Sequence, residues 1–303
     1  LFRFVSTLLL VLALSQMLSQ SILSYSDSLN TKKLMTVVGV ESVGTIGSLV
    51  ALNSIWYEQY PKVSFHSFND NSEWLQLDKA GHVLSAYFIG HAGIEAMNWA
   101  GVEERKAIWI GGGVGVVYLT GLEILDGYSS GWGFSKGDMI ANGIGMGVLV
   151  TQELVWKEQR IQIKFSAHHT NYARFRPELL GSNGFQRLLK DYNGQTYWLS
   201  VNLKSFLFKE KKFPAWLNIA FGYSANEMIS GSVGSYNNCS INSWCNGLER
   251  YRQWYFSFDI DLTKISVKHP LLKTIFGTFG FVKIPAPTLE YSKNRIQLKG
   301  FYF

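Results

Sequence analysis

Seven polar residues stand among strongly apolar stretches: Asp78, Lys79, His82, Glu123, Asp126, Asp138 and Asn142. Asp78 and His82 are four residues apart, so a helix sets them on one face; Asp138 and Asn142 share a face by the same spacing. Glu123 and Asp126 close an apolar stretch at its C-terminal end, where the helix dipole disfavours acids. Local helix energetics do not account for that pair, and a tertiary partner is expected. Ser135 followed by Asp138 reads as a capping box at a helix start. Asp78, just after Leu77, also suits a cap or first-turn acid.

An unpaired carboxylate inside an apolar bundle costs several kcal/mol. The acids are therefore expected to meet Lys79 and His82. Four uses fit such a cluster. It can be a structural hub that ties helix ends together. It can hold zinc, magnesium or manganese through His82 with Glu123, Asp126, Asp138 or Asp78, although no His-x-x-x-His or Glu-x-x-His spacing occurs. It can do acid/base chemistry, with His82 as base polarised by Asp78 or Glu123. It can bind a partner or a lipid headgroup. Ser129, Ser130 and Ser135 lack any nucleophile-elbow motif, so no nucleophile is singled out. The sequence names no cofactor.

Other chemistry-bearing residues carry less. His168 and His169 are adjacent after a strand-like run, and neighbours on a strand point to opposite faces. Gly111-Gly112-Gly113 with Gly115 lies inside an apolar stretch, without the Gly-Lys-Ser/Thr of a phosphate loop. Close helix packing explains it better.

Elements able to position the cluster change character near residue 158. Before it, four helices are predicted: Met35 to Trp56, Asp78 to Ala100, Ala107 to Leu125 and Lys136 to Trp156. Each is near the length that crosses hydrocarbon, and a glycine-rich soluble bundle gives the same signal. After it, apolar and polar residues alternate with a period of two, as in Ile161-Gln162-Ile163-Lys164-Phe165 and Trp254-Tyr255-Phe256-Ser257-Phe258. Strands are predicted there, including one through Ile275, Gly277, Phe279 and Phe281 and a last one from Arg295 to Phe303. Two architectures fit: an antiparallel sheet packed on the helices, or a small outer-membrane-type barrel, to which the final Phe303 also points.

Charged residues make up 17% of the 303-residue chain, below the globular norm of about 25%. Aromatics reach 15%. A chain in or beside a bilayer fits both figures. The net charge is +6, with basic residues spread along the chain and no nucleic-acid-binding motif, so anionic lipid is the more natural counterpart. Arg3 and the apolar run Phe4 to Leu14, followed by small and polar residues, read as a signal peptide over about residues 1–25. Cys239 and Cys245, in a polar stretch, fit a small disulfide in an oxidising compartment.

Three ordered blocks carry a family resemblance: Asp78-Lys79-Ala80-Gly81-His82, then Glu123-Ile124-Leu125-Asp126-Gly127, then Trp132-Gly133-Phe134-Ser135-Lys136-Gly137-Asp138 running on to Asn142 and Gly145. They resemble the YfiM/DUF2279 family of predicted periplasmic lipoproteins and, more distantly, VanZ-like membrane proteins. The resemblance covers roughly residues 74 to 150. It implies an envelope compartment and supplies no reaction.

The expectation is an α+β protein of the bacterial envelope: a signal peptide (1–25), a bundle of apolar helices (26–157) and an antiparallel β region (158–303), either open or closed as a small barrel. Its expected role is structural, or partner- or lipid-binding, at the outer membrane or a periplasm-facing membrane. The rival is a membrane-proximal hydrolase or transferase, possibly metal-dependent, acting on lipid or cell-wall material. Membrane lipid and an envelope protein are the expected partners, and nucleic acid is not.

Overall fold

The computed structural model describes residues 26–57, 60–207, 212–232 and 248–302. The signal-peptide stretch, Cys239, Cys245 and Phe303 lie outside the described residues.

Four long helices form where the apolar stretches predict them: α1 (Thr31–Leu52), α2 (Leu77–Trp99), α3 (Glu104–Gly127) and α4 (Lys136–Trp156). Polar side chains set two of their starts. Asn30 accepts a hydrogen bond from the Lys33 amide at α1, and Ser135 accepts one from the Asp138 amide at α4. α2 is central and packs on both α3 and α4. Glycine makes this approach possible. A methyl group at Gly90 would stand 2.6 Å from the Gly112 carbonyl oxygen, and Gly93 meets Gly111 backbone to backbone. The glycines inside the apolar stretches are thus contact points, as the packing reading expects. α1 and α3 are long and apolar enough to cross a membrane by length and composition. Most of α1 is exposed, whereas α3 gives one face to α2.

Beyond residue 157 lies one antiparallel sheet, ordered as a meander: β1 (Ile161–Ala167), β2 (Gln195–Asn202), β3 (Leu217–Asn226), β4 (Tyr251–Ile260), β5 (Ala286–Ser292) and β6 (Arg295–Tyr302). Its register lines up one apolar row across all six strands: Ile163, Leu199, Phe221, Phe256, Leu289 and Leu298. The neighbouring row on the opposite face runs Lys164, Trp198, Gly222, Tyr255, Glu290 and Gln297.

The sheet curls toward that second face. In a flat sheet β1 and β4 would lie about 14 Å apart, yet the Lys164 ammonium on β1 is 2.7 Å from the Asp259 carboxylate on β4. Tyr302 on β6 likewise reaches Thr196 on β2, at 3.2 Å, and stacks on Tyr255. The inside of the curl is polar, buried and hydrogen-bonded. Ser200 donates to Asp259, Asn218 donates to Ser200, and Gln253 donates to Glu290.

Closure fails, which corrects the barrel alternative. β1 and β6 are the two ends of the sheet and do not pair with each other. Instead the segment 281–283 takes up part of the free edge of β1, through bonds between Phe165 and both Phe281 and Lys283. Lys283 then turns inward to Ser257 and the face of Trp198. The predicted strand through Ile275 is also corrected. Pro270–Thr278 is a helix, because Leu271, Leu272, Ile275, Phe276 and Phe279 recur at helical spacing and Pro270 presets the first turn. Pro287 lies within β5, at a register shift between Ala286 and Thr288.

The two regions meet where the start of the sheet packs on α2. Ile163 is buried with Tyr87, Ile94 and Leu149, and Leu77 packs with Ala225 and Met228.

Candidate functional site

The cluster forms where the N-terminal turns of α2 and α4 meet the C-terminal end of α3. Leu77 anchors the α2 turn in the core with no exposed surface. This fixes where Asp78, Lys79 and His82 emerge. The capping serine does the same for α4, since Ser135 is held at the Asp138 amide and its own amide donates to Glu123 Oε2 at 2.9 Å. Glu123, at the disfavoured end of its helix, thus finds its partner on the next helix start. A positive dipole end meets a carboxylate there.

Lys79 is the electrostatic centre. Its Nζ lies 2.6 Å from Asp70 Oδ2, 2.8 Å from Asp138 Oδ1 and 3.6 Å from Asp78 Oδ2. His82 sits one turn further in. Its Nδ1 pairs with Asn142 Oδ1 at 3.0 Å, and its Nε2 lies 3.7 Å from Glu123 Oε1 and 3.8 Å from Asp138 Oδ2. Ser135 Oγ donates to Asp70 Oδ1 at 2.6 Å. Tyr192, from the connection between β1 and β2, donates to Asp78 Oδ1 at 2.8 Å.

These contacts set the proton affinities. Burial works against charge on Lys79, but Asp78, Asp138 and Asp70 outweigh it and hold its pKa above the ordinary value. Burial also opposes charge on His82, and the carboxylates of Asp78, Asp138 and Glu123 more than offset it, so the imidazole is held above its usual value. Burial raises Asp70, yet hydrogen bonds from Lys79 and Ser135 leave it below the usual carboxylate range. Burial, with Asp78 adding, lifts Asp138 to about 6 against the pull of His82 and Lys79.

Six of the seven sequence-derived residues converge: Asp78, Lys79, His82, Glu123, Asp138 and Asn142. Asp126 stands beside them and accepts a hydrogen bond from Tyr57 at 2.7 Å. Sequence spacing missed Asp70, Tyr57 and Tyr192. Asp70 lies in the irregular Asn69-Asp70-Asn71 stretch, where no helical period projects a side chain toward the bundle. Chain-distant tyrosines give no local signal at all. His168, from the adjacent His pair, makes an edge contact with the Tyr302 ring, away from the hub.

Residues 67–152 match the family model of DUF2279, described as predicted periplasmic lipoproteins. The matched region contains every member of the hub except Tyr57 and Tyr192, and it stops before the sheet. It supports a periplasm-facing place in the envelope. No curated protein and no solved structure matches the chain.

Within the matched region, Asp78, His82 and Asp138 bring ligand atoms within 4.8 Å of one another, a spacing a cation can bridge. Lys79 already neutralises both carboxylates from 2.8 and 3.6 Å. A divalent ion would have to displace that ammonium or share its ligands with it. The hub reaches the surface at Asp78, whose side chain is 32% exposed, while Glu123 and Asp138 are at 2% and 4%. A crevice lined by Ser72, Leu75, Ser232 and Arg250 includes no hub residue.

Proposed function

We propose that this chain is a structural or partner-binding protein of the outer envelope, and that the polar hub fastens its helical part. On this reading the helical part (26–157) is a rigid support and the β part (158–303) presents a surface to lipid or to an envelope protein. The observation that carries the proposal is Lys79, whose ammonium joins three carboxylates contributed by α2, α4 and the loop before α2. One side chain thereby ties together the starts of α2 and α4 and the loop before α2. Two further bonds act in the same way: Asn142 Oδ1 pairs with His82 Nδ1, and the Ser135 amide donates to Glu123.

A fastening and an active site predict opposite responses to neutral substitution. Active-site charge clusters are held at the expense of stability, so neutralising them leaves a protein as stable or more so. A fastening loses stability when one member is neutralised. Equilibrium unfolding of the full chain carrying Asp70→Asn discriminates the two, because bonds from Lys79 and Ser135 hold that carboxyl below its usual range. The proposal expects Asp70→Asn to cost at least about 1 kcal/mol at neutral pH. A variant at least as stable as the parent would overturn it.

A further inference from the structure

Ordinary antiparallel sheets bury their apolar face and wet the polar one. This sheet does the reverse over most of its extent. Inside the curl are Lys164, Asp259, Ser200 and Asn218, all buried. Outside are Trp254, Phe256, Phe258, Leu289, Tyr291 and Leu298, each between 40% and 72% exposed. α2 and the turn before it cover the outer face at Ile163 of β1, Tyr197 of β2 and Tyr223 of β3. The remainder exposes on the order of 900 Å² of apolar side chain, beyond the few hundred Å² found on a typical monomer.

Charge indicates what covers it. Residues 201–303 hold thirteen Lys and Arg against six Asp and Glu, a balance of +7 where the whole chain has +6. All of the net positive charge therefore belongs to the third of the sequence that carries this face. Basic residues stand at both ends of the apolar band. Arg252, Lys293 and Arg295 lie at one end, and Lys268 and Lys273 follow the other, beside the exposed Leu271 and Ile275 of helix Pro270–Thr278. Aromatic Trp254 and Tyr291 separate the first basic group from Phe256 and Leu289. Basic, then aromatic, then aliphatic is the order of a membrane interface.

Dimensions decide how the face meets a membrane. From Trp254 to Phe258 the band is about 13 Å tall at about 3.3 Å per residue, half the roughly 25 Å band of a spanning barrel. The sheet edges are also open, and unpaired edges do not sit in hydrocarbon. The face fits one leaflet, lying on it with its basic rim at the headgroups. We infer that the outer face of β3 to β6 is a monotopic seat for an anionic lipid leaflet. This rests on the sheet alone and stands or falls separately from the hub.

Trp254 reports on the seat directly. The full chain is mixed with phosphatidylcholine vesicles, with or without phosphatidylglycerol, whose acyl chains are brominated. Subtracting the emission of Trp254→Phe isolates the contribution of Trp254. With phosphatidylglycerol present, that contribution is expected to be quenched at least about twofold, and added salt is expected to release it. Phe256→Asn combined with Leu289→Asn is expected to abolish the quenching while circular dichroism shows the sheet intact. Absence of quenching in the parent protein overturns the inference. Quenching that survives the double substitution also overturns it. So does a dimer, seen by sedimentation, that shields Trp254 from aqueous iodide without vesicles, because a second copy then covers the face.

Discussion

Replacing Lys79 by Met removes the central charge of the hub while keeping most of its apolar stem. The side chain is 13% exposed, and the partners it leaves, Asp70 and Asp138, are 16% and 4% exposed. Stripping the counter-ion from largely buried carboxylates typically costs about 3–5 kcal/mol. The cost depends on pH in a direction the site fixes. In the parent, Asp138 has a folded pKa raised to about 6. A raised carboxylate is more easily accommodated when protonated, so its penalty is absent at low pH and appears as pH rises through that value. Without Lys79 its affinity for a proton rises further. The variant is therefore expected to lose about 3–5 kcal/mol above neutral pH and clearly less near about pH 5, where Asp138 takes up a proton. Asp70 adds a loss that is the same near about pH 5 and above neutral pH. Its depressed pKa contributes stability above the unfolded value that is lost as pH falls through the folded one, and Lys79→Met forfeits that contribution. Urea unfolding at a series of pH values measures the difference, and Lys79→Met with Asp138→Asn is expected to recover a substantial part of the loss. A penalty below about 1 kcal/mol above neutral pH, or no recovery in the double variant, would refute the reasoning.

Other consequences can be measured in the same way. His82→Gln should cost most stability on the acid side of about pH 6.5, and the gap to the parent should close as pH rises through the elevated folded value; a pH-independent gap would contradict the charge assignment. Gly93→Val should destabilise by about 1–3 kcal/mol, because any side chain there enters the Gly111 backbone, whereas Gly143→Ala, which meets nothing within 4 Å, should be neutral or stabilising in thermal unfolding. Inside the curled sheet, Lys164→Met should cost about 3–5 kcal/mol by stranding Asp259, and Lys164→Met with Asp259→Leu should restore most of it; equal losses in the single and double variants would show that shape matters more than charge there.

The periods are legible in the residues alone. Long apolar stretches placed α1 to α4 close to their observed limits, and alternation found the strands at Ile161, Trp254 and Arg295. The sequence also grouped Asp78 with His82 and Asp138 with Asn142. It misread Ile275 to Phe281, because three apolar residues and a glycine at a period of two are also compatible with a helix when Leu271 and Leu272 precede them. Tertiary structure decided three things that periodicity cannot reach. It chose which face of the sheet turns inward: alternation separates Phe256 from Ser257 but does not say which is buried, and the Lys164–Asp259 pair shows the polar face inside. It left the sheet open, since closure depends on whether β1 and β6 meet and not on the pattern within either. Finally, it brought Asp70 and Tyr192 to the hub across loops with no regular repeat. Spacing is a property of one element, whereas pairing, curvature and burial arise only when elements are placed against one another.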